Sequence, residues 1–306
     1  MVDVRLLLSL AINVISSVGV IFINKRMVFM QAKFPFGSTL TVIHFLVTFL
    51  GCLAFAYFKF FAVKRLQVRS VLSISLAFCG YVVFNNLSLL TNTVPIYQRS
   101  KIVCTPVIVA VEYLVYNKRE PINVLLSLIP VCLGICITVY ADSSVNWVGG
   151  FWAVLAIIAN SFYTIWGKTK QVELGVSPMQ ILTYQAPISV IILAFAVPIL
   201  GLDSMPDLMA YQMNGYALWA IGVSCIFAFG VNFSFFLFVG QTSPLTMNVV
   251  GYLKTCLVFL GGFVFFDATL TPQQGFGILI AMGGLAAYTR AKMIQAEMIE
   301  KIRQSA

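Results

Sequence analysis

Long runs of apolar residues, separated by short polar segments, make up most of this chain of 306 residues. A helix needs about 20 apolar residues to cross the hydrocarbon core of a membrane. Backbone groups inside lipid must be paired within a helix or a closed barrel, and these runs lack the alternation of barrel strands. The pattern therefore predicts an all-α polytopic membrane protein with ten transmembrane helices, over residues 5–25, 36–58, 70–91, 95–116, 122–140, 146–167, 177–200, 215–239, 244–266 and 273–291.

Composition supports the membrane class and excludes a soluble one. Hydrophobic residues make up 60% of the chain and charged residues only 9%, which is more apolar surface than a soluble domain can bury. The seven cysteines all lie in apolar runs and lack partners at metal-ligand spacing. We interpret them as buried packing thiols, and we predict no metal site, no disulfide framework and no cofactor.

The basic residues lie mainly on one side of the predicted membrane. If the N-terminus is cytosolic, the cytosolic segments contain Arg5, Lys59, Lys64, Arg65, Arg69, Lys118, Arg119, Lys168, Lys170, Arg290, Lys292, Lys301 and Arg303. Cytosolic loops of membrane proteins carry such an excess of basic residues, so we predict that both termini are cytosolic. The same distribution accounts for the net charge of +9 without any binding of nucleic acid.

A weak internal repeat, with an offset of about 150 residues, divides the predicted helices into two sets of five. Gly80 corresponds to Gly230, and Pro121 to Pro272. Because five is an odd number, the two sets must have opposite orientations in the membrane, as in alternating-access transporters. We predict a first five-helix repeat over residues 1–142 and an inverted second repeat, with a short cytosolic tail, over residues 143–306.

Two lysines occupy matching positions inside the predicted helices, Lys101 in the fourth and Lys254 in the ninth. An ammonium at the bilayer centre costs at least about 3 kcal/mol, so each lysine should face the bundle interior or a wet cavity. The acidic residue inside a predicted span, Glu112, lies about 16 Å from Lys101 along the same helix and close to Lys118. We therefore predict that both lysines bind an anionic substrate, with phosphate as a suitable group. A buried ion pair is the alternative for Lys101, and Arg99 either joins the site or extends to the lumenal interface.

Several function classes are disfavoured by the residues inside the spans. Proton or sodium coupling usually requires a membrane carboxylate, so exchange of one anion for another is favoured. A cation exporter would need a carboxylate in the cavity, and an enzyme would need a nucleophile–base pair or a metal site. A membrane scaffold stays open as an alternative.

Polar and aromatic residues on several predicted helices complete the candidate substrate-binding set. They are Lys25, His44, Tyr97, Gln98, Tyr184, Gln185, Asn232, Asn248, Tyr252 and Thr255. Each side chain is equally suited to interhelical hydrogen bonding. The glycines Gly275, Gly277, Gly283 and Gly284 favour close helix contact instead, and a homodimer interface is one use for them.

Two of these motifs resemble those of a known family. Gly251-Tyr-Leu-Lys254-Thr255 and Tyr97-Gln98-x-x-Lys101 are similar to motifs of the nucleotide-sugar and triose-phosphate translocator family, in the drug/metabolite transporter superfamily. The resemblance covers essentially the whole chain. The Lys-Thr pair looks like that of plant UDP-xylose and related UDP-sugar carriers and of solute carrier 35 subfamily E. Phosphate translocators have arginine at the position of Thr255, and the GDP-mannose carriers have Gly-Ala-Leu-Asn-Lys.

The resemblance implies a nucleotide-sugar antiporter of the Golgi or endoplasmic reticulum membrane. Such a protein would carry a UDP-sugar, for example UDP-xylose or UDP-galactose, into the lumen and return UMP. The alternative is an exchanger of organophosphates of the triose-phosphate or phosphoenolpyruvate type. The identity of the sugar and the oligomeric state stay open at this point.

Overall fold

The computed structural model describes residues 4–91, 94–140, 146–241, 250–251, 254, 257–258 and 271–305. Every regular element in these residues is a helix. Six helices among them are long and apolar enough to cross a membrane, namely Leu8–Gln31, Gly37–Tyr57, Val68–Ser88, Trp147–Leu174, Pro178–Ile199 and Gly215–Ser234. The prediction of a polytopic helical membrane protein is therefore confirmed.

The helices follow the apolar runs closely. They are α1 (Val4–Ile23), a π-helix (Asn24–Gln31), α2 (Gly37–Tyr57), α3 (Val68–Thr91), α4 (Val94–Tyr116), α5 (Ile122–Leu126), α6 (Leu128–Tyr140), α7 (Trp147–Leu174), α8 (Pro178–Ile199), α9 (Met205–Ala210), α10 (Gly215–Gln241) and α11 (Pro272–Ser305). Most of the ninth predicted span, 244–266, lies outside the described residues. The count of ten transmembrane helices stays a prediction.

The chain forms two compact units, and each unit combines two separate parts of the sequence. The first comprises Met1–Asn86 and Tyr163–Thr242, and the second comprises Leu87–Phe162 and Ser243–Ala306. Both units therefore contain helices from the two halves of the chain. The predicted repeats, 1–142 and 143–306, are defined by corresponding sequence positions, whereas the two units are defined by spatial contacts. The repeats therefore stay a prediction.

In the first unit, α10 packs against α1 and α2, and α2 also packs against α8. Glycines allow aromatic rings of α10 to lie close to the neighbouring helices. A Cβ atom on Gly19 of α1 would collide with the ring of Phe227, and a Cβ atom on Gly51 of α2 would collide with the ring of Phe229. The bulk of these rings therefore sets the spacing of the three helices.

The carboxylate of Asp203 caps the start of α2. It accepts hydrogen bonds from the backbone N–H of Ser38 at 3.4 Å and from the backbone N–H and hydroxyl of Thr39 at 2.6 and 2.7 Å. The first N–H groups of a helix have no partner within it, and the helix dipole favours an anion there. Asp203 thus fixes α2 from the segment after α8.

In the second unit, α11 packs along α6 and against α5, and α4 packs against α6. Small residues let the backbones of α6 and α11 approach. Gly134 of α6 faces the backbone of Gly277 and Ala281, and Gly284 of α11 faces the backbone of Val131. Two of the four glycines predicted to permit close helix contact are therefore used within this unit.

The prediction of buried thiols is correct for three cysteines and wrong for two. Cys52, Cys79 and Cys225 are buried, whereas Cys132 and Cys136 are exposed on α6. These two lie one turn apart on a face of α6 that points away from α11. An apolar run inside a membrane has an outer face as well as an inner one, and hydropathy alone does not separate the two.

A buried carboxylate, Glu120, connects the segment before α5 to α11. Its side chain is 1% exposed, it forms an ion pair with Lys292, and the Nζ atom of Lys118 lies 3.4 Å from its Oε1 atom. Burial by itself would raise the pKa of Glu120, but the hydrogen bond and charge of Lys292, together with Lys118, lower that pKa below its ordinary value of 4.5. The ionised form of Glu120 is therefore favoured by folding.

We expect Glu120→Gln to destabilise the fold by about 3 kcal/mol at pH 7, because the half-buried ammonium of Lys292 would then face a neutral amide instead of a carboxylate. Since folding lowers the pKa of Glu120, its carboxylate stabilises the fold fully above the ordinary pKa of 4.5 and loses that effect as the pH falls through the lowered value. The thermal midpoint of the variant should therefore lie furthest below that of wild type at pH 7, and this difference should shrink as the pH falls below 4.5. Glu297→Gln, an exposed change on the same helix α11, is the matched control and should show no such difference.

Candidate functional site

The two lysines predicted to bind the substrate belong to the same unit of the fold. Lys101 lies on α4, and Lys254 lies on a helical turn in the part of the second unit that follows Ser243. Lys254 is half-buried and follows buried Val250 by four residues, so both occupy one helix face. This position agrees with a lysine that faces the interior of a helix bundle rather than lipid.

The face of α4 that carries Lys101 continues into a polar contact with α7. For Tyr97, Gln98 and Lys101 the structure describes the helical backbone, in which Lys101 lies one turn after Tyr97 and Gln98. One turn further along this face, the Sγ atom of Cys104 accepts a hydrogen bond from the Nδ2 atom of Asn160 at 3.1 Å. This face of α4 therefore contacts α7 within the second unit.

A chain of hydrogen bonds links the π-helix, α10 and α2 in the first unit. The hydroxyl of Ser224 donates to the Oδ1 atom of Asn24, and the Nε2 atom of His44 lies 2.8 Å from that hydroxyl. Because the proton of Ser224 is directed to Asn24, the Nε2–H group of His44 is the donor in the second contact. His44 is 9% exposed, so this buried ring is held in one orientation and one tautomer.

A second chain of hydrogen bonds brings Asn232 to the same place on α2. The Nδ2 atom of Asn232 donates to the hydroxyl of Thr48 at 3.1 Å, and that hydroxyl donates to the backbone carbonyl of His44 at 2.8 Å. Two predicted site residues, His44 and Asn232, thus belong to one network. Such interhelical hydrogen bonds contribute about 0.6–1.7 kcal/mol each in membranes, so the network also stabilises the contact between α2 and α10.

Lys25 lies directly beside this network, on the π-helix. It is half-buried and follows Asn24, the residue at which the α-helical winding changes to π. π-helices are rare and occur frequently at functional sites. The wider winding turns the side chains after Asn24 onto a different face from the one that continuous α-helix would give them.

Tyr184 and Gln185 lie in a different part of the first unit. The hydroxyl of Tyr184 accepts a hydrogen bond from the backbone N–H of Leu66 at 3.3 Å, and the Nε2 atom of Gln185 donates to the hydroxyl of Tyr163 at 3.4 Å. Gln185 is fully buried, and its Oε1 atom has no hydrogen-bond partner among the described residues. A buried acceptor without a partner is costly unless a ligand or water donates a hydrogen bond to it. The Oε1 atom of Gln185 could therefore accept a hydrogen bond from a substrate.

Three acidic side chains of the described residues form contacts away from the hydrogen bonds of His44, Asn232 and Gln185. Glu112 accepts a hydrogen bond from Lys118 at 2.8 Å, Glu173 pairs with Lys170 at 2.8 Å, and Asp203 caps α2. The position of Glu112 beside Lys118 is the one that the sequence predicted. The described groups at the candidate positions are ammonium, imidazole, amide and hydroxyl groups, which suit a polar anion rather than a cation.

Three further predicted residues, Asn248, Tyr252 and Thr255, lie outside the described residues. The sequence missed Ser224, Thr48 and Tyr163, which hold His44, Asn232 and Gln185 respectively. A hydroxyl residue inside an apolar run gives only a weak pattern, because it satisfies its own helix as readily as a neighbour. Within the described residues, no group of three or more metal-ligating side chains lies close enough to hold an ion.

Comparison with known proteins gives consistent matches over nearly the whole chain. The family model described as the Triose-phosphate Transporter family matches residues 4–289. UDP-xylose transporter 2 of Arabidopsis thaliana is 33% identical over 282 residues, which are 92% of this chain and 80% of that protein. UDP-rhamnose/UDP-galactose transporter 1 of Arabidopsis thaliana is 31% identical over 289 residues, which are 94% of this chain and 83% of that protein.

A solved crystal structure shares the fold. It superposes on this chain with a TM-score of 0.62, covering 93% of this chain and 98% of the other, at 13% sequence identity. At this identity the likeness concerns the arrangement of helices alone. The same arrangement of helices therefore occurs in a protein whose structure was solved by crystallography.

Proposed function

The chain belongs to the Triose-phosphate Transporter family, and from this premise we propose that it carries a UDP-sugar across an internal membrane in exchange for UMP. The observation that carries the proposal is the similarity, over more than nine-tenths of the chain, to transporters named for UDP-xylose and for UDP-rhamnose and UDP-galactose. Transport rather than catalysis also agrees with the set of polar groups described above. UDP-xylose and UDP-galactose are the substrates that we would test first.

The proposed architecture has ten transmembrane helices in two inverted five-helix repeats, 1–142 and 143–306, with both termini in the cytosol. The helices that coincide with the predicted spans support it. So do Pro121, which directly precedes α5, and Pro272, which begins α11 at a matching place in the other half of the chain. Opposite orientations of the two repeats would allow alternating access by the relative movement of two similar halves. We place the protein in the Golgi or endoplasmic reticulum membrane, as a homodimer.

Lys101 and Lys254 are the proposed partners of the phosphate groups. Their occurrence in one unit of the fold supports this role, because a diphosphate presents charge to two ammonium groups at once. Tyr97, Gln98, Asn248, Tyr252 and Thr255 lie on the same two spans and would contact the sugar or the ribose. Lys25, His44, Tyr184, Gln185 and Asn232 belong to the first unit, and they stay proposed substrate-binding residues on the chemistry of their own side chains.

Exchange follows from the charge of the site. Two ammonium groups that bind one substrate repel each other, and a bound anion offsets that repulsion. The occluded intermediate would therefore form readily only with substrate bound. Either a UDP-sugar or UMP neutralises the same lysines, so the return of the empty carrier is slow and the two fluxes are coupled.

A substrate panel in reconstituted liposomes tests the proposal. We expect vesicles loaded with UMP to take up labelled UDP-xylose or UDP-galactose faster than empty vesicles, and vesicles loaded with GMP or CMP to give little stimulation. The family description favours one rival, an exchanger of triose phosphate or phosphoenolpyruvate. Competition by triose phosphate, but not by UMP, would support that rival and contradict the proposal.

A further inference from the structure

The segment that joins α2 to α3 carries an unusual combination of charge and aromatic residues. We define the α2–α3 segment as residues 57–69, with the sequence Tyr-Phe-Lys-Phe-Phe-Ala-Val-Lys-Arg-Leu-Gln-Val-Arg. It contains four basic residues, Lys59, Lys64, Arg65 and Arg69, and no acidic residue. Nothing in the proposed exchange mechanism uses these charges.

The segment begins with a well-formed helix terminus. The backbone N–H of Lys59 bonds to the carbonyl of Ala56 at 3.0 Å, and the N–H of Phe60 bonds to the carbonyl of Phe55 at 2.9 Å. These two bonds form the Schellman motif that commonly ends a helix, and the rings of Phe55 and Phe60, 5.2 Å apart, form its hydrophobic contact. The segment is therefore turned sharply at the end of α2.

Further along, the segment is held by hydrogen bonds to α7 and α8. The Nζ atom of Lys64 donates to the carbonyls of Leu174 at 2.9 Å and Gly175 at 3.3 Å, at the end of α7. The Nε2 atom of Gln180 donates to the carbonyl of Ala62 at 2.6 Å. One cation thus fixes the segment, and the remaining three are presented on a surface that is already ordered.

The outward surface of the segment is both aromatic and basic. Tyr57, Phe58 and Phe60 are 83%, 68% and 74% exposed. Lys59, Arg65 and Arg69 are exposed, and none forms an ion pair with the acidic residues that the structure describes. On neighbouring α7, Glu173 pairs with Lys170 and does not neutralise them. Tyrosine side chains are enriched at the level of the lipid headgroups, which is where Tyr57 at the end of α2 would lie.

Lys59 adopts a backbone conformation that favours glycine. Its φ angle is +60°, in the left-handed region, at the position of the Schellman motif where glycine is the usual residue. A side chain at this position costs some stability, and residues in such conformations concentrate at functional sites. The loss of stability at this position is consistent with a functional role for the ammonium group of Lys59, since glycine would avoid the loss but has no side chain.

We propose that the α2–α3 segment binds the headgroup of an anionic phospholipid in the leaflet that it faces. The phosphate would lie among Lys59, Arg65 and Arg69, with Tyr57 and Phe58 at the boundary between headgroups and acyl chains. Charge complementarity favours an anionic lipid over a zwitterionic one, since each cation near an anionic surface strengthens binding about fivefold. The exposed aromatic residues favour a lipid over a dissolved phosphate compound.

Native mass spectrometry of the purified full chain tests this inference. Phosphatidylserine and phosphatidylcholine of equal acyl length would be titrated against wild type and against the triple variant Lys59→Gln/Arg65→Gln/Arg69→Gln. We expect wild type to prefer phosphatidylserine at least about tenfold and the triple variant to prefer it by less than about twofold. The control Arg119→Gln/Arg290→Gln/Lys301→Gln removes three exposed charges elsewhere and should keep the wild-type preference.

A single variant excludes misfolding as the cause. Lys59→Gly removes one cation while relieving the left-handed conformation, so it should weaken the preference about fivefold without loss of thermal stability. An unchanged preference in the triple variant would overturn the inference. Displacement of the lipid by inorganic phosphate or UMP, if it required the same three residues, would also overturn the inference. The segment would then be a site for soluble anions and not for a lipid. Lipid binding is measured without transport, so its outcome is independent of the exchange assay.

Discussion

Lys254→Ala should reduce UMP exchange in liposomes by at least about 100-fold while leaving the amount of folded protein unchanged. Removing one partner of a buried charge pair with the substrate costs about 2–5 kcal/mol, and about 2.7 kcal/mol corresponds to a factor of 100. The protein itself should fold normally, because a cation inside a membrane opposes stability rather than supporting it. Lys101→Ala should have an effect of the same order.

Matched variants separate a binding role from a structural one. Lys254→Arg keeps the charge but changes the shape of the group, so it should restore part of the exchange. Lys301→Ala removes an exposed lysine on α11 and should exchange at the wild-type rate. Exchange at the normal rate by Lys254→Ala would disprove the proposed site. A membrane scaffold is separated from a transporter by its function, since Lys254→Leu would stabilise the scaffold and leave its cellular role intact, whereas the transporter would lose exchange.

Hydropathy predicted the helix positions well because burial in lipid is a property of whole segments. The predicted span 36–58 corresponds to α2 at Gly37–Tyr57, and 177–200 corresponds to α8 at Pro178–Ile199. Helices α7 and α11 continue beyond the predicted spans 146–167 and 273–291, because a helix can extend past the apolar run that crosses the membrane. In α7 the extension includes the pair Lys170–Glu173, three residues apart, which favours helix outside the membrane.

Contacts between residues far apart in the chain could not be predicted from the sequence. Asp203 caps α2 from a position 164 residues away from Thr39, and Ser224 joins Asn24 across 200 residues. No local pattern encodes such partners, because each side chain is equally compatible with several neighbours until the helices pack. His44 and Asn232 were selected as polar residues inside spans. Their common network depends on the packing of α10 against α2, which brings Asn232 to the hydroxyl of Thr48.

The neighbouring glycines of α11 should respond in opposite ways to the addition of a single methyl group. A Cβ atom on Gly284 would lie 2.6 Å from the backbone nitrogen of Val131, whereas a Cβ atom on Gly283 would meet nothing within 4 Å. Gly284→Ala must therefore push α6 and α11 apart, at a cost of about 3 kcal/mol. Gly283→Ala should stabilise the helix by about 0.5–1 kcal/mol, because alanine is the better helix former. Thermal unfolding of the purified variants in detergent measures both effects.

Gly134→Ala tests the same contact from the other helix and should be as destabilising as Gly284→Ala, because its Cβ atom would meet the backbone of Gly277 and Ala281. Equal stability of all three variants would show that α6 and α11 do not pack through their glycines. Gly283→Ala also tests the proposed homodimer. If that face of α11 is covered by a second copy, the variant should weaken self-association in detergent while leaving the folded monomer at least as stable. A variant that unfolds the monomer would instead show that the face of Gly283 is packed within one chain.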